Sequence, residues 1–264
     1  MEQLKDLHVK LLEIIKEVDR ICRESNLKYT LMGGSLIGAI RHNGFIPWDD
    51  DLDIGLKYDD YCTLIKKVQE MNHPWLEVDY HNSDDYEEQF AKIYDVRTTL
   101  KEAKSNRIRG VFIDVFPILP IANNMFVAKY RYYKDTILKM TRYNMTNDSK
   151  SSKFKMFIYK FIGLFYSPES LTKKIQNKRC KLSKKKYKFS NDPDGSVCGI
   201  VPSIIFENYI DHKFENLNLM IIKEYHQYLT LTFGDYMKLP PEDKRVPGHF
   251  EILELHKSYK EWSD

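Results

Sequence analysis

Four carboxylates stand within five residues of this chain, at Asp49, Asp50, Asp51 and Asp53. Like charges this close repel unless solvent or a cation takes up their field. Leu52, Ile54 and Leu56 alternate with the last of them. That alternation predicts a strand over Asp51–Leu56, with positions 49, 51 and 53 on one face and the apolar residues turned to the core. A solvated acidic turn capping a helix is the plainer reading of an Asp run. The apolar alternation, and a glycine turn upstream, favour the strand. Hard oxygen donors without Cys or His partners suit Mg²⁺, with Mn²⁺ as second choice, over zinc.

The upstream element is Met32-Gly33-Gly34-Ser35, followed by the apolar run Leu36–Ile40. A glycine turn that opens a helix presents free N–H groups and a positive dipole end, which suit a phosphate. Glycine pairs alone usually only make turns. Followed within about 20 residues by an acidic strand, this one becomes a metal-plus-phosphate arrangement suited to phosphoryl transfer. A third element is Val111-Phe112-Ile113-Asp114-Val115-Phe116-Pro117, an apolar strand interrupted by one carboxylate. A lone buried charge is costly unless paired or metal-bound. Asp114 therefore joins the candidate site, as a ligand or as the acceptor of a proton from an attacking hydroxyl. The alternative is an Asp at a strand end held by backbone hydrogen bonds.

Around these motifs the chain alternates helix and strand. An amphipathic helix is predicted over 3–25, with Leu4, Leu7, Leu11, Ile14, Ile15, Val18, Ile21 and Cys22 on one face. A short strand follows at 29–32, a loop at 44–50 and a helix at 58–72. Further strands are expected at 75–80, 89–95, 110–116, 197–201 and 214–219, with a turn at 191–195. A last helix at 221–233 precedes an irregular tail rich in proline. The pattern is that of an α/β core.

Charge divides the chain. Net charge is +3, yet residues 125–190 hold 18 Lys and Arg against 3 Asp and Glu. A +15 segment is thus set in a body of net −12. We expect helices there near 124–145, 153–166 and 169–188. Residues 154–166 are apolar nearly all round, but 13 residues broken by Lys155 and Lys160 are too few to span a membrane. Three readings stand for this insert: a helix packed in the core, an interfacial helix on anionic lipid, or a surface for an anionic polymer. Nucleic acid is not expected, since no binding motif accompanies the charge. Four scattered cysteines without a CxxC pair, and a charged N-terminal stretch, read as a cytoplasmic protein without a signal peptide.

The run Gly33-Gly34-Ser35-Leu36-Ile37-Gly38-Ala39-Ile40-Arg41-His42-Asn43-Gly44-Phe45-Ile46-Pro47-Trp48-Asp49-Asp50-Asp51-Leu52-Asp53 resembles the LicD family. So do Phe112–Pro117 and Phe233-Gly234-Asp235-Tyr236-Met237-Lys238-Leu239-Pro240-Pro241. The likeness spans roughly 1–121 and 195–250 and is weakest in the basic insert. It implies a nucleotidyltransferase fold related to the polymerase-β superfamily: a mixed sheet flanked by helices, in a catalytic domain of 1–121 and 191–264, with 122–190 as a helical insert. It implies Mg²⁺-dependent transfer of phosphocholine, or a related phosphoryl-alcohol unit, from a CDP-activated donor such as CDP-choline. The acceptor would be a sugar hydroxyl of a cell-surface glycan precursor: teichoic acid, lipopolysaccharide or capsule, free or lipid-linked. By that likeness Asp51 and Asp53 hold the metal, Asp114 completes the site and Asp49 supports it. Peripheral contact through the basic insert would set the protein at the inner face of the cell membrane.

Other residues carry two readings each. Arg41 pairs with a phosphate or is a surface cation. Lys92, in an otherwise apolar strand, snorkels to solvent or reaches a phosphate. His249, with Lys244 and Arg245, closes over the site or belongs to a polar tail. His42 reads as structural, and Phe45 and Trp48 as fixing the loop. A choline donor would call for an aromatic cage. Two competing functions remain from this reading: a nucleotidyltransferase using an NTP, and an inactive module binding glycan or membrane.

Overall fold

A computed structural model describes residues 2–80, 90–103, 107–146, 153–191, 197–246 and 250–262. Helix α1 (Glu2–Glu24) buries all eight apolar residues of its predicted face. Each such fully buried side chain stabilises the fold by about 1.5–3 kcal/mol. Then come β1 (Tyr29–Leu31), α2 (Gly33–His42), β2 (Asp53–Lys57), α3 (Tyr58–Glu70), β3 (Leu76–Asp79), β4 (Ala91–Asp95), β5 (Thr99–Glu102), β6 (Ile108–Arg109) and β7 (Phe112–Ala122). The basic segment forms α4 (Met125–Thr146), α5 (Lys153–Gly163) and α6 (Pro168–Ser183). The chain continues through β8 (Phe189–Asn191), β9 (Val201–Pro202), β10 (Tyr209–Phe214), β11 (Leu217–Ile222), α7 (Tyr225–Phe233) and β12 (Phe250–Glu254).

The main sheet runs β1-β2-β7-β4-β3, and β8 with β9 extends it from the far half of β7. Strands β2 and β7 are parallel, and the other pairs in the sheet are antiparallel. The protein is thus a mixed α/β fold, as expected. Its central strands are buried and apolar: Ile54, Leu56, Ile93, Ile113 and Val115 join the core with the face of α1.

Several boundaries differ from expectation. The acidic strand begins at Asp53, so Asp49 and Asp51 lie in the irregular segment before it. The expected strand at 214–219 is half borne out: 217–219 begin β11, while 215–216 form the turn of a β10–β11 hairpin in which Phe214 faces Leu217. That hairpin docks beside β1, where Tyr29 Oη accepts from the Met220 N–H (3.2 Å) and Thr30 Oγ1 from the Ile222 N–H (3.0 Å). Ile222 is therefore strand, and the last helix starts three residues later. The tail contributes β12, which pairs with β5. The turn expected at 191–195 lies, after Asn191, outside the described residues.

The insert packs through α4 and α6 on β7. Core packing does not describe α5: Phe157, Phe161, Leu164 and Phe165, in and just beyond it, are exposed, while Tyr159 is buried. Among the described residues no helix is long and apolar enough to cross a membrane.

Candidate active site

Strand register brings the site together. Asp53 on β2 is the Cα partner of Asp114 on β7, and Asp114 is the partner of Lys92 on β4. Acid, acid and lysine thus stand in one row across three adjacent strands. Neighbouring strands lie about 4.8 Å apart, and two carboxylates about 5 Å apart repel by roughly 3 kcal/mol in a partly shielded site. Lys92 offsets one of them. Its Nζ lies 3.0 Å from Asp114 Oδ1, as an ion pair outside good hydrogen-bond geometry, and 3.2 Å from Glu102 Oε1. It also sits 3.6 Å from the centre of the Phe112 ring. Lys92 is therefore the internal counter-ion of the acids, neither snorkelling nor turned to open solvent.

Negative charge remains in excess. Burial first, then Asp51, Asp114 and Asp49, push the Asp53 carboxyl well above the usual carboxylate range, with Lys92 opposing. Burial likewise pushes Asp114 up, and Lys92 draws it back. The residues present fit a hard divalent cation in donor chemistry and in the close approach of like charges around Asp53. They do not form a finished cage: among the described residues no three His, Cys, Asp or Glu side chains are already grouped to hold a metal.

The glycine turn serves the acids directly. Gly33 adopts φ +51°, which favours glycine, and a Cβ there would approach Asp53 Oδ2 to 3.1 Å. A Cβ on Gly34 would come within 2.5 Å of Asp49 Oδ2. Two carboxylates therefore crowd the positive end of α2, where the helix dipole favours them. Ser35 is buried, and its Oγ accepts from the Asp53 N–H at 2.8 Å. Its hydroxyl sets the start of the acidic strand.

Distant residues hold the loop between α2 and β2. His8 on α1 donates from Nε2 to the Asp49 carbonyl (2.7 Å) and stacks on Phe45 with ring centres 4.0 Å apart. Glu215, in the β10–β11 turn at φ +53°, accepts from the Phe45 N–H (3.1 Å) and donates its own N–H to the Asn43 carbonyl (2.7 Å). Arg41 donates to the carbonyls of Tyr236 (2.8 Å) and Lys238 (3.3 Å), tying α2 to the Phe233–Pro241 segment. His42 meets Trp48 edge-on, and the Arg245 guanidinium lies 5.5 Å over the Trp48 ring. His249 lies outside the described residues.

His8, Glu102 and Glu215 were not singled out from the sequence. An acid ten residues beyond Lys92, and a hairpin turn without glycine, carry no local signal of such a role. A cavity of about 880 Å³ lined by Lys57, Ile118, Lys186 and Phe206 opens at the opposite ends of β2 and β7, away from the acids.

The model of the family described as "LicD/FKTN/FKRP, nucleotidyltransferase domain" matches residues 26–167, more than half of the chain. That span reaches through α4 and α5, further into the basic segment than the motifs alone extend. The Lipopolysaccharide cholinephosphotransferase LicD of Haemophilus influenzae is 27% identical over 263 residues, covering 94% of this chain and 96% of that protein. The Ribitol 5-phosphate transferase FKRP of Homo sapiens is 42% identical over 50 residues, 19% of this chain and 10% of that protein.

Proposed function

The chain belongs to the LicD family, and from that premise we propose that it transfers phosphocholine, or a related phosphoryl-alcohol unit, from a CDP-activated donor to a sugar hydroxyl of a cell-surface glycan precursor. The row of Asp53, Asp114 and Lys92 carries this reading. Support for choline comes from the name of the Haemophilus relative, which makes CDP-choline the donor to try first. Teichoic acid, lipopolysaccharide and capsule precursors are the acceptor classes.

Asp51 and Asp53 would hold Mg²⁺, with Asp114 completing the set and Asp49 supporting it. Such an ion, when bound, supplies neutralisation of the carboxylates and of the donor phosphate oxygens. The rest of the work falls to the chain. Gly33, Gly34 and Ser35 keep the acids at the N terminus of α2, whose N–H groups suit the donor phosphates. Lys92 keeps Asp114 ionised. The acceptor oxygen attacks the phosphorus bearing the alcohol, the bond to the departing CMP breaks, and Asp114 takes the hydroxyl proton. Arg245, over the Trp48 ring, and Arg41, now held by the Tyr236 and Lys238 carbonyls, are the candidates to meet the outer phosphate. We take 1–121 with 191–264 as the catalytic domain and 122–190 as the insert, in a cytoplasmic protein that works at the inner face of the membrane.

The test is thermal stabilisation by Mg²⁺ with CDP-choline, CDP-glycerol, CDP-ribitol or NTPs in turn. Stabilisation by at least one CDP-alcohol is expected. Stabilisation by NTPs alone would sink the reading in favour of a nucleotide-adding enzyme.

A further inference from the structure

Phe157, Phe161, Leu164 and Phe165 follow one another at helical spacing, four, then three, then one residue apart, along α5 and its extension. All four face solvent, at 68%, 54%, 78% and 67% exposure, and the Phe161 and Phe165 rings touch edge to face at 5.4 Å. Helix α4 bears a second row, Phe126, Tyr130, Tyr133 and Ile137, exposed likewise, with Phe126 at 83%. Isolated apolar residues on a surface are ordinary, but two such rows on adjoining helices call for an occupant. Lys155 and Lys160 stand exposed on the same helix, outside the row. Of the two acids among the described residues of the insert, Asp135 is buried against Lys178 at 2.7 Å and Glu169 lies in the first turn of α6.

We infer that the α5 row lies on an anionic bilayer. An aromatic and leucine row with lysines on the other sides of the same helix matches a surface that is apolar below and negative above. A second copy of the chain is the poorer occupant, because a two-fold contact sets the same basic surface against itself. Spanning is excluded for α5 by length: 11 residues rise about 17 Å, against roughly 30 Å of hydrocarbon. The helix lies in the interface instead, with its lysine stems reaching up to the headgroups. Helix α4 packs on the far end of β7 from Asp114, where Ala128 joins Ile121 and Ala122 in one cluster and Arg131 donates to the Ile121 carbonyl, so docking leaves the acids clear. This inference goes beyond the proposed chemistry and does not depend on it.

The experiment is co-sedimentation of the full chain with phosphatidylcholine vesicles, with and without phosphatidylglycerol, in the absence of any donor. Pelleting with the anionic vesicles is expected, together with its loss in high salt. The triple variant Phe157→Ser, Phe161→Ser, Phe165→Ser should keep its melting temperature, since these side chains are exposed, and bind at least ~10-fold more weakly. Lys155→Glu with Lys160→Glu should weaken binding as well. No pelleting with anionic vesicles would overturn the inference. So would equal pelleting with neutral vesicles, or a triple variant that binds like the wild type. A dimer in solution that the triple variant dissociates would assign the face to a second copy instead.

Discussion

Lys92 Nζ stands 3.0 Å from Asp114 Oδ1, and both side chains are almost wholly enclosed. Breaking a buried pair by removing one partner strands the other charge, at a cost of about 3–5 kcal/mol. Lys92→Met should therefore lower unfolding free energy by roughly 3 kcal/mol, at the low end because slight exposure persists. Adding Asp114→Asn to it should recover part of that stability without restoring turnover. Urea denaturation of the two variants decides this. A Lys92→Met protein as stable as the wild type would show that the pair is not buried as described.

The close approach of Asp49 to Gly34 makes a sharper claim about placement. A methyl at position 34 must displace the Asp49 carboxylate, which can swing away, so Gly34→Ala should change stability by no more than about 1 kcal/mol. Turnover should fall about 10–100-fold, the usual effect of small misplacement near the chemistry. Because both changes act through one contact, Gly34→Ala in an Asp49→Ala background should cost little more. Full kcat in Gly34→Ala would mean that Asp49 plays no part.

A pH prediction comes from His8. Burial holds its imidazole below the ordinary value of 6.5, against the opposing hydrogen bond to Asp49 and the fields of Glu215 and Asp50. Above pH 6.5 the ring is neutral in both folded and unfolded chains, and no penalty arises. As pH falls below 6.5 the unfolded chain takes up a proton that the folded chain resists, so stability declines. His42 shifts the same way, through burial and Arg41, so each ring supplies part of the slope. His8→Gln should flatten it when unfolding is measured on either side of pH 6.5. An unaltered slope would contradict the account.

How far the sequence reached depended on the range of the interactions. Helix α1 was legible because its eight apolar residues repeat at a helical period, and burial followed that period throughout. Asp53 and Asp114 were legible as charges set in apolar strands, and their adjacency follows from register. Alternation starts the acidic strand two residues before Asp53, because it does not distinguish a strand from the segment leading into it. Its start depends on bonds from elsewhere: Ser35 Oγ to the Asp53 N–H, and the Met32 N–H to the Asp53 carbonyl. The β10–β11 hairpin escaped because Glu215 takes a positive φ in a turn without glycine. Glu102 and His8 escaped because only folding brings them to Lys92 and Asp49.

In the proposed reaction Asp53 and Asp114 on β2 and β7, with Asp51 just before β2, perform the transfer. The most direct measurement is CMP release from CDP-choline with Mg²⁺ and a glycan acceptor, comparing the wild type with Asp53→Asn and Asp51→Asn, each shown to be folded. The account predicts turnover by the wild type that chelation of divalent ions abolishes, and a loss of at least ~10³-fold in either variant. Wild-type turnover in Asp53→Asn would contradict it.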